Sequence, residues 1–387
     1  MGSEPSNPSS RKASRGRSGF LHRSVSEALR RRLEEGQLAG GTKLPALKEL
    51  ASELSVSTMT VRRALRTLES EGHVYRIAGV GSFVRPAVGG RGLRRIAFIG
   101  SDLTSTFQVA IARGAQQAGQ RDGWAVALLD AHWDVELEAA NIRSLPEMGA
   151  RGAIVLPPFS STTTADALHA LQANNFPMVL VDMGAPGLRA DLVSSDHEAG
   201  AQLATRYLIE RGHQRVFFLT HPPVASSVVS RLAGYEQALR RAGIEPRPEW
   251  KAWIDLTVHQ EGYRQGRKWW GGCQAILPLL RDLREPVAVL AVDSYTGWGV
   301  YEACRQLGLR IPEDVSVIAF DDIEVAHAVS PPMTIVSQRT DEIGRVAVEL
   351  LEKRIQSPAP RQSGQRQITQ VLIDVDLIER QSVATLH

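Results

Sequence analysis

From residue 95 onwards, short apolar segments alternate with stretches of helical periodicity. Eight segments have the length and composition of buried strands: Arg95–Gly100, Ala125–Asp130, Ala153–Pro157, Met178–Asp182, Leu192–Ser195, Val216–Leu219, Val287–Val292 and Val315–Phe320. Helical patterns follow most of them, for example at Ala199–Arg211 and Arg231–Ala242. Apolar strands separated by helices predict a doubly wound parallel sheet of the α/β class, and this region is long enough for two such lobes. A ligand on such a sheet binds beyond the carboxyl ends of the strands.

The first part of the chain has a different pattern, that of a small helical module. Three helical patterns follow one another between residues 21 and 70. The apolar residues of the third fall on one face: Val61, Ala64, Leu65 and Leu68. Ser57 is suited to cap this helix, and two strand-like segments, His73–Ile77 and Ser82–Arg85, flank a turn at residues 79–81. Three helices and a hairpin predict a small winged helix-turn-helix domain.

Two segments of biased composition mark the domain boundaries. Residues 1–20 contain six Ser, three Gly and two Pro with almost no apolar side chains, which predicts a disordered basic tail. Residues 86–92 are Gly-rich and contain a Pro, which is typical of a linker. We therefore expect a tail at 1–20, a winged-helix domain at 21–86, a linker at 87–94 and an α/β domain at 95–387.

The net charge of +3 conceals an asymmetry between the two parts of the chain. Residues 1–94 contain 17 Lys and Arg against 8 Asp and Glu, whereas the remainder contains 28 against 34. This distribution predicts that the basic part meets a polyanion and that the larger part does not. An ordinary solvated surface is the alternative, which the charge alone leaves open.

Several classes of protein are not expected. No apolar stretch approaches the roughly 18 residues that span a bilayer, and the start of the sequence lacks the apolar region of a secretory signal. Cys273 and Cys304 lie 31 residues apart, so we expect buried thiols in a reducing cytoplasm, not a disulfide or a zinc site. His197–Glu198 does not belong to an H-E-x-x-H motif, because position 201 is Ala201, and no other catalytic motif occurs. The chain is therefore not expected to be an enzyme or to hold a cofactor or metal.

The third helix of the N-terminal module carries a polar stripe beside its apolar face. Thr58, Arg62 and Arg66 recur at a spacing of four residues, and Thr60 and Arg63 flank them. Hydroxyl and guanidinium groups on one helix face can contact base edges and phosphates in the major groove of DNA. Since this helix follows a tight turn and precedes a Gly-flanked hairpin, we expect it to bind DNA.

The segment LPALKELASELSVSTMTVRRALRTLESEGHVYRIAGVGSFV resembles the GntR-type winged-helix DNA-binding domain over nearly its full length. The resemblance implies DNA contacts from five side chains and from the wing backbone at two glycines: Lys48, Ser57, Thr58, Thr60, Arg62, Gly79 and Gly81. Lys48 and Thr58 stand where this family usually has arginines. Lysine offers no bidentate fork and threonine cannot form the arginine–guanine pair, so the base preference should differ from that of better-known relatives.

The larger part resembles a second family, the LacI/GalR regulators, whose fold is like that of the two-lobed periplasmic sugar-binding proteins. The segments that carry this resemblance are SSDHEAGAQLATRYLIERGHQRVFFL, SRLAGYEQALRRAGI, LGLRIPEDVSVIAFDDIEVAHAVSPPMTIVSQ, IGRVAVELLEKRI and LIERQS. They occur in order and cover almost all of residues 95–387. A GntR-type reader joined to a LacI-type sensor is similar to the architecture of the arabinose repressors.

The strand ends and this resemblance together indicate an effector site. Asp182, Asp293 and Asp321 end predicted strands, Arg231 begins a helix, and the family's corresponding positions contact the effector. Carboxylates accept hydrogen bonds from sugar hydroxyls and a guanidinium donates to sugar oxygens, so these residues suit a neutral polyol better than a phosphosugar. Phe107 is a weaker candidate, as a stacking face. The alternative is that Asp182 and Asp321 only cap turns.

Two further features bear on the ligand. Asp293 is followed by Ser294 where the family commonly has Asn-Asp, so the ligand can differ from that of relatives. Trp298 lies just past Asp293 and is a possible stacking residue, although most tryptophans belong to a core or an interface.

The combined prediction is a cytoplasmic, ligand-responsive transcription regulator, specifically a repressor. We expect it to bind operator DNA as a homodimer, because paired half-sites need two recognition helices at a fixed separation. A sugar effector is expected to release it. The alternatives are a regulator whose ligand strengthens DNA binding, as in corepression or activation, and a sugar-binding protein without a role on DNA.

Overall fold

The computed structural model describes residues 25–32, 42–70, 73–77, 81–84, 94–157, 162–185, 187–357 and 367–386. The chain divides into two compact units, residues 1–93 and 94–387. The predicted tail, residues 1–20, and residues 87–93 of the predicted linker lie outside the described residues. Arg94, the last residue of that linker, begins a strand.

The N-terminal unit contains three helices and a two-stranded antiparallel hairpin in its described residues. The helices are residues 25–32 (α1), Leu47–Glu53 (α2) and Thr58–Ser70 (α3), and the strands are Val74–Ile77 (β1) and Gly81–Val84 (β2). The predicted apolar face of α3 is buried in one core with Leu29 and Leu50. Ser57 caps α3 as predicted, since the Thr60 N–H donates to its Oγ over 3.2 Å.

The second unit begins with a lobe of alternating strands and helices. In chain order they are β3 (Arg94–Gly100), α4 (Thr106–Arg121), β4 (Trp124–Asp130), α5 (Val135–Ser144), β5 (Ala150–Val155), α6 (Thr162–Ala173), β6 (Met178–Val181) and β7 (Asp191–Ser195). Alternate side chains of β3 face opposite sides of the sheet, as strand geometry requires: Ile96 and Phe98 pack in the core that contains α4, and Ala97 and Ile99 pack against α5 and α6.

The second lobe follows the same plan. Its elements are α7 (His197–Glu210), β8 (Val216–Thr220), α8 (Ser226–Arg241), β9 (Lys251–Trp253), α9 (Leu256–Arg264), α10 (Trp270–Leu280), β10 (Val287–Ala291), α11 (Ser294–Leu307), β11 (Val315–Phe320), α12 (Glu324–Ala328) and β12 (Thr334–Gln338), with a 3-10 turn at Pro248–Trp250. The chain ends with α13 (Thr340–Gln356), β13 (Gln370–Ile373) and β14 (Val375–Ile378).

In the described residues, each lobe is built on one six-stranded sheet. The strand orders are β13-β7-β6-β5-β3-β4 and β14-β12-β11-β10-β8-β9, so the two sheets have corresponding arrangements. Every neighbouring pair is parallel except β12 and β14. This confirms the predicted α/β class with doubly wound parallel sheets and the eight predicted strands.

The chain crosses between the lobes at three places. Asp196 joins β7 to α7, Arg339 joins β12 to α13, and Asp374 joins β13 to β14. Helix α13 packs against α4 of the first lobe, and α7 packs against α8 of the second. The crossovers lie at the carboxyl ends of β7, β12 and β13, so these ends of the two sheets adjoin the cleft between the lobes.

Candidate functional site

The cleft between the lobes holds a cavity that is lined by all five residues predicted for the effector site. Phe107 and Asp182 come from the first lobe, and Arg231, Asp293 and Asp321 come from the second. The cavity thus collects three carboxyls and one guanidinium at the carboxyl ends of the strands, where a doubly wound fold binds its ligand.

Asp182 and Asp321 occupy corresponding positions in the two lobes. Each follows the fourth strand of its lobe in chain order, β6 or β11, and each has a left-handed backbone, with φ of 66° and 75°. The Asp182 N–H donates to Val193 O and the Asp321 N–H to Val336 O, both over 3.0 Å. Aspartate tolerates this conformation better than most residues, and neighbouring strands fix it here. The two side chains therefore reach the cavity from opposite lobes, and neither caps a helix.

The Asp182 carboxyl is buried and is held by His197, the first residue of α7. His197 Nε2 lies 3.1 Å from the Asp182 carbonyl oxygen and 3.3 Å from Oδ1. Burial alone would raise the pKa of Asp182, but His197 and the Arg231 charge outweigh it and lower this pKa below its ordinary value. Asp182 is therefore an ionised acceptor.

The Asp321 carboxyl has the opposite character. Burial, reinforced by the nearby Asp293 and Asp182 carboxylates, raises the pKa of Asp321 from 3.8 to about 7, although Arg231 and Gln338 act against this. Gln338 Nε2 donates to Asp321 Oδ1, whereas Gln338 Oε1 is buried without a hydrogen-bond partner among the described residues. This end of the cavity can both accept and donate a proton near neutral pH.

Asp293 has a structural contact as well as a place in the cavity wall. It caps α11, because Oδ1 accepts from the Thr296 N–H over 2.7 Å and Oδ2 accepts from Thr296 Oγ1 over 3.0 Å. His221 Nε2 lies 3.8 Å from Oδ2. Burial opposes ionisation of Asp293, but His221, His259 and the Thr296 N–H lower its pKa to about 2. Asp293 is therefore a fixed anion, and His259 beside it is neutral, since burial lowers the pKa of His259 to about 3.

Arg231 is a buried cation on α8. Its guanidinium carbon lies 4.3 Å from the centroid of the Phe320 ring, and the residue is 7% exposed. Arg231 Nε is buried and has no hydrogen-bond partner in the described part of the chain. Buried polar groups are normally hydrogen-bonded, so an unsatisfied donor that lines a cavity indicates a ligand acceptor. The guanidinium can donate to two oxygens of one ligand.

Aromatic side chains line the rest of the cavity, and sequence reasoning missed most of them. Phe107 was predicted, whereas Trp133, His259, Tyr263 and Tyr295 were not, nor were His221 and Gln338. No motif or spacing identifies these residues, because they come from five different elements and loops. Trp298, considered as a stacking residue, lies against Trp269 with 6.2 Å between ring centroids and does not line the cavity.

The predicted DNA-contacting side chains lie mainly on the outer face of α3. Thr58, Arg62, Arg63 and Arg66 are exposed, as is Lys48 on α2. Arg62 and Arg66 form no ion pair with any described residue, so their charges remain available to a polyanion.

Two other predicted contacts are partly engaged within the protein. Ser57 Oγ and Thr60 Oγ1 lie 2.9 Å apart and share a hydrogen bond at the start of α3. In the wing, Gly81 is the first residue of β2 and pairs with Ile77, whereas Gly79 lies outside the described residues.

Other kinds of site find no support in the described residues. No group of three or more His, Cys, Asp or Glu side chains there is placed to hold a metal ion. None of the helices described has the length and apolarity to cross a bilayer. Cys273 and Cys304 are buried free thiols, as predicted.

Two family models match the chain, and bacterial repressors are among its relatives. Residues 21–84 match the bacterial regulatory proteins of the gntR family, and residues 205–383 match the periplasmic binding protein-like domain. The ribose operon repressor of Haemophilus influenzae is 30% identical over 325 residues, which cover 81% of this chain and 93% of that protein. The HTH-type transcriptional repressor CytR of Escherichia coli K12 is 31% identical over 351 residues, which cover 88% and 96%.

Solved structures agree with these matches. A LacI family transcriptional regulator from Enterococcus faecium, solved with bound ribose, is 25% identical and superposes with a TM-score of 0.61, covering 76% of this chain and 100% of its own. CcpA of Lactococcus lactis, at 21% identity, has the same fold with a TM-score of 0.62 over 75% of this chain and 99% of its own. The chain therefore belongs to the LacI family of transcriptional regulators and carries a DNA-binding domain of the GntR type.

Proposed function

We propose that this repressor binds operator DNA as a homodimer and leaves it when a neutral sugar enters the cavity between the lobes. One observation carries the proposal. The Asp182, Asp293 and Asp321 carboxyls line one cavity with the buried guanidinium of Arg231, whose Nε donor has no hydrogen-bond partner among the described residues. The relatives, both bacterial repressors, favour a cytoplasmic protein.

The charges of the cavity favour a neutral ligand. Among the described lining residues, a phosphate group would meet the ionised Asp182 and Asp293 carboxylates and one guanidinium, that of Arg231, so repulsion and loss of hydration would oppose its binding. Sugar hydroxyls can instead donate to the carboxylates and accept from the guanidinium at the same time. The aromatic wall around Phe107 and Tyr263 supplies the apolar surface that a sugar ring face contacts.

Ribose is the first sugar to test. The Haemophilus relative is a ribose operon repressor, and the Enterococcus structure contains ribose. The departure at Asp293, where the family commonly has Asn, argues that other neutral pentoses and hexoses belong in the same panel.

Release from DNA follows from a population shift between open and closed lobes. Asp182 belongs to the first lobe and Arg231 to the second. A sugar can hydrogen-bond to both residues only when the two lobes approach each other, so it binds the closed state more tightly than the open state. Closure turns the lobes about the crossovers at Asp196, Arg339 and Asp374. In a dimer this turning changes the separation of the two α3 helices, which must match two half-sites on the DNA.

A dimer face is supported by apolar side chains at the ends of the two sheets remote from the crossovers. Leu128 on the edge strand β4 and Trp253 on the edge strand β9 are each 42% exposed, and Val229 on α8 is 48% exposed. Large exposed apolar residues are common at protein interfaces. We assign these residues to the contact with a second copy of the chain.

Binding of operator DNA with and without sugar tests the proposal. A duplex is selected from a random pool by the full-length protein, and its affinity is measured at fixed salt with increasing D-ribose. We expect the affinity to fall by about 5- to 150-fold, the usual range of allosteric coupling. A rise in affinity would replace release by corepression, and no change with any sugar of the panel would contradict the proposal.

A substitution on α3 tests the proposed DNA interface. Arg62→Ala should weaken binding of the selected duplex several-fold, because it removes an unpaired cation from the α3 face. Arg206→Ala, an exposed arginine of α7, is the matched control and should bind like the wild type. Equal affinities for all three proteins would remove α3 from the DNA interface.

A further inference from the structure

The turn after β4 has an unusual backbone at two consecutive residues. His132 and Trp133 have left-handed conformations, with φ of 49° and 60°, and neither is glycine. A large aromatic residue rarely adopts this conformation, and such strain persists only where the surroundings impose it. Backbone strain of this kind concentrates at binding sites, so the turn requires an explanation.

Hydrogen bonds hold the turn from both sides. The His132 N–H donates to Asp130 Oδ1 over 3.0 Å, and the Trp133 N–H donates to Ser101 O over 2.7 Å. The Asp134 N–H donates to Ala131 O over 2.8 Å, and the Asp134 side chain caps α5. The conformation of Trp133 is therefore imposed by its neighbours, and it directs the indole towards the cavity that Trp133 lines.

Trp133 reaches across the cleft to the opposite lobe. Its ring lies edge-on to Tyr263 of α9, with 5.6 Å between centroids and 72° between planes. Tyr263 lies 4.7 Å from the ring of His259, which lies 4.4 Å from the ring of His221. His221 in turn lies 3.8 Å from Asp293. A continuous row of side chains thus connects the strained turn of the first lobe to a carboxylate of the second.

The indole N–H of Trp133 has no acceptor among the residues that the structure describes. Nε1 is buried, and none of the described residues accepts a hydrogen bond from it. An indole nitrogen can only donate, so satisfying it requires an oxygen or another acceptor inside the cavity. A buried donor left unsatisfied costs free energy, and the strained backbone adds to that cost. Both features are explained if a bound molecule supplies the acceptor.

We propose that Trp133 is a specificity-determining residue of the effector site, whose indole N–H donates to an oxygen of the bound sugar while its ring closes the cleft against Tyr263. The inference rests on the proposed sugar-binding function and adds a feature of the ligand to it. The sugar must present a ring or hydroxyl oxygen at the aromatic end of the cavity when its other hydroxyls contact Asp182 and Arg231. A molecule with an apolar group at that position leaves the indole unsatisfied and is rejected.

Two variants separate the hydrogen bond from the ring. Trp133→Phe keeps an aromatic ring and removes the N–H, and Trp133→Ala removes both. Trp298→Phe is the matched control, since Trp298 is also half-buried but does not line the cavity. Binding of D-ribose and of a panel of neutral pentoses and hexoses is measured by titration calorimetry, together with the change in tryptophan fluorescence at saturation and with the melting temperature of each free protein.

We expect the two Trp133 variants to lose sugar affinity to different extents. Trp133→Phe should weaken binding of the sugar that the wild type prefers by about three- to tenfold, as expected for one hydrogen bond, and Trp133→Ala should weaken it by about a further three- to tenfold. The sugar-induced fluorescence change should disappear in both and persist in Trp298→Phe. Wild-type affinity in Trp133→Phe, with the fluorescence change retained, would overturn this inference alone. A wild type that binds no sugar of the panel would overturn the proposed function and this inference with it.

Discussion

His197 shows how a residue outside the predicted site controls one inside it. Its Nε2 contacts both the carbonyl and the carboxylate of Asp182, while the residue itself begins α7 directly after a crossover between the lobes. The imidazole is 4% exposed, so its contact with Asp182 is shielded from water. His197 therefore positions the carboxylate of one lobe from the first turn of a helix that belongs to the other.

Removing this contact should weaken sugar binding without unfolding the protein. His197→Ala removes the imidazole that lies 3.3 Å from Asp182 Oδ1 and bonds the Asp182 carbonyl, and we expect the Kd for D-ribose to rise about tenfold or more, because the imidazole positions a charged group. His197→Gln places an amide nitrogen close to the position of Nε2 and should restore most of the affinity. Titration calorimetry of the three proteins checks this, and an unchanged Kd in His197→Ala would remove His197 from the account.

Asp321 should make stability depend on pH in a direction opposite to that of most aspartates. Because burial raises its pKa from 3.8 to about 7, the folded protein binds the Asp321 proton more tightly than the unfolded chain does. The stabilisation from this proton is present at low pH and is lost as the pH rises from about 4 to about 7. Asp321→Asn removes the effect, so its free energy of unfolding relative to the wild type should increase by about 2–3 kcal/mol between pH 5 and pH 8.

Urea unfolding of both proteins at the two pH values measures this difference. The other titrating groups are present in both proteins, so their contributions largely cancel in the comparison. The same wild-type-to-variant difference at pH 5 and pH 8 would show that Asp321 titrates at its ordinary pKa.

Some residues of the cavity can be predicted from the sequence, and others cannot. Asp182, Asp293 and Asp321 could be predicted because each follows an apolar strand, and parallel strands place their carboxyl ends at one edge of a sheet. Arg231 needed the family resemblance as well. His221, His259 and Trp133 could not be predicted, since only the packing of separate loops and helices brings them to the cavity.

At the level of elements, most strands of the two sheets could be predicted from their apolar runs. The short strands β9, β12, β13 and β14 were not predicted, and β13 and β14 show why. Each has four residues, they are separated only by Asp374, and they join different sheets in opposite senses. No local pattern can specify this division, because it depends on which lobe each segment reaches.

The contact between α4 and α13 depends on glycine. A Cβ on Gly344 would lie 2.1 Å from Ile111 O, and a Cβ on Gly114 would lie 2.2 Å from Asp341 O, so the two helix backbones approach too closely for a larger residue on either side. Gly344→Ala should lower the free energy of unfolding by about 1–3 kcal/mol, because the helices must separate. Gly184→Ala is the control, since its Cβ would have no neighbour nearer than 3.8 Å. Thermal unfolding of both variants checks this, and equal stabilities would contradict the close approach.

At the level of the whole molecule, the edge strands predict how two copies meet. Trp253→Glu places a charge on the proposed dimer face, and burial of an unpaired charge opposes association. We expect the wild type to sediment as a dimer and Trp253→Glu as a monomer at micromolar concentration. Lys353→Glu, at an exposed position of α13, should remain dimeric. A dimeric Trp253→Glu would place the interface elsewhere.

In the proposed function, a ligand that contacts both lobes changes their orientation about the three crossovers. The proposed function and the proposed role of Trp133 both require a sugar that binds through the strand-end carboxylates and Arg231. Arg231→Lys tests it most sharply, because lysine keeps the positive charge but loses the planar fork that donates to two oxygens.

Titration calorimetry of the wild type and Arg231→Lys is therefore the decisive measurement, with D-ribose first and then a panel of neutral sugars and their phosphates. We expect saturable binding of a neutral sugar by the wild type and at least about tenfold weaker binding by the variant, at unchanged melting temperature of the free protein. Equal affinities in the two proteins, or binding only of sugar phosphates, would contradict it.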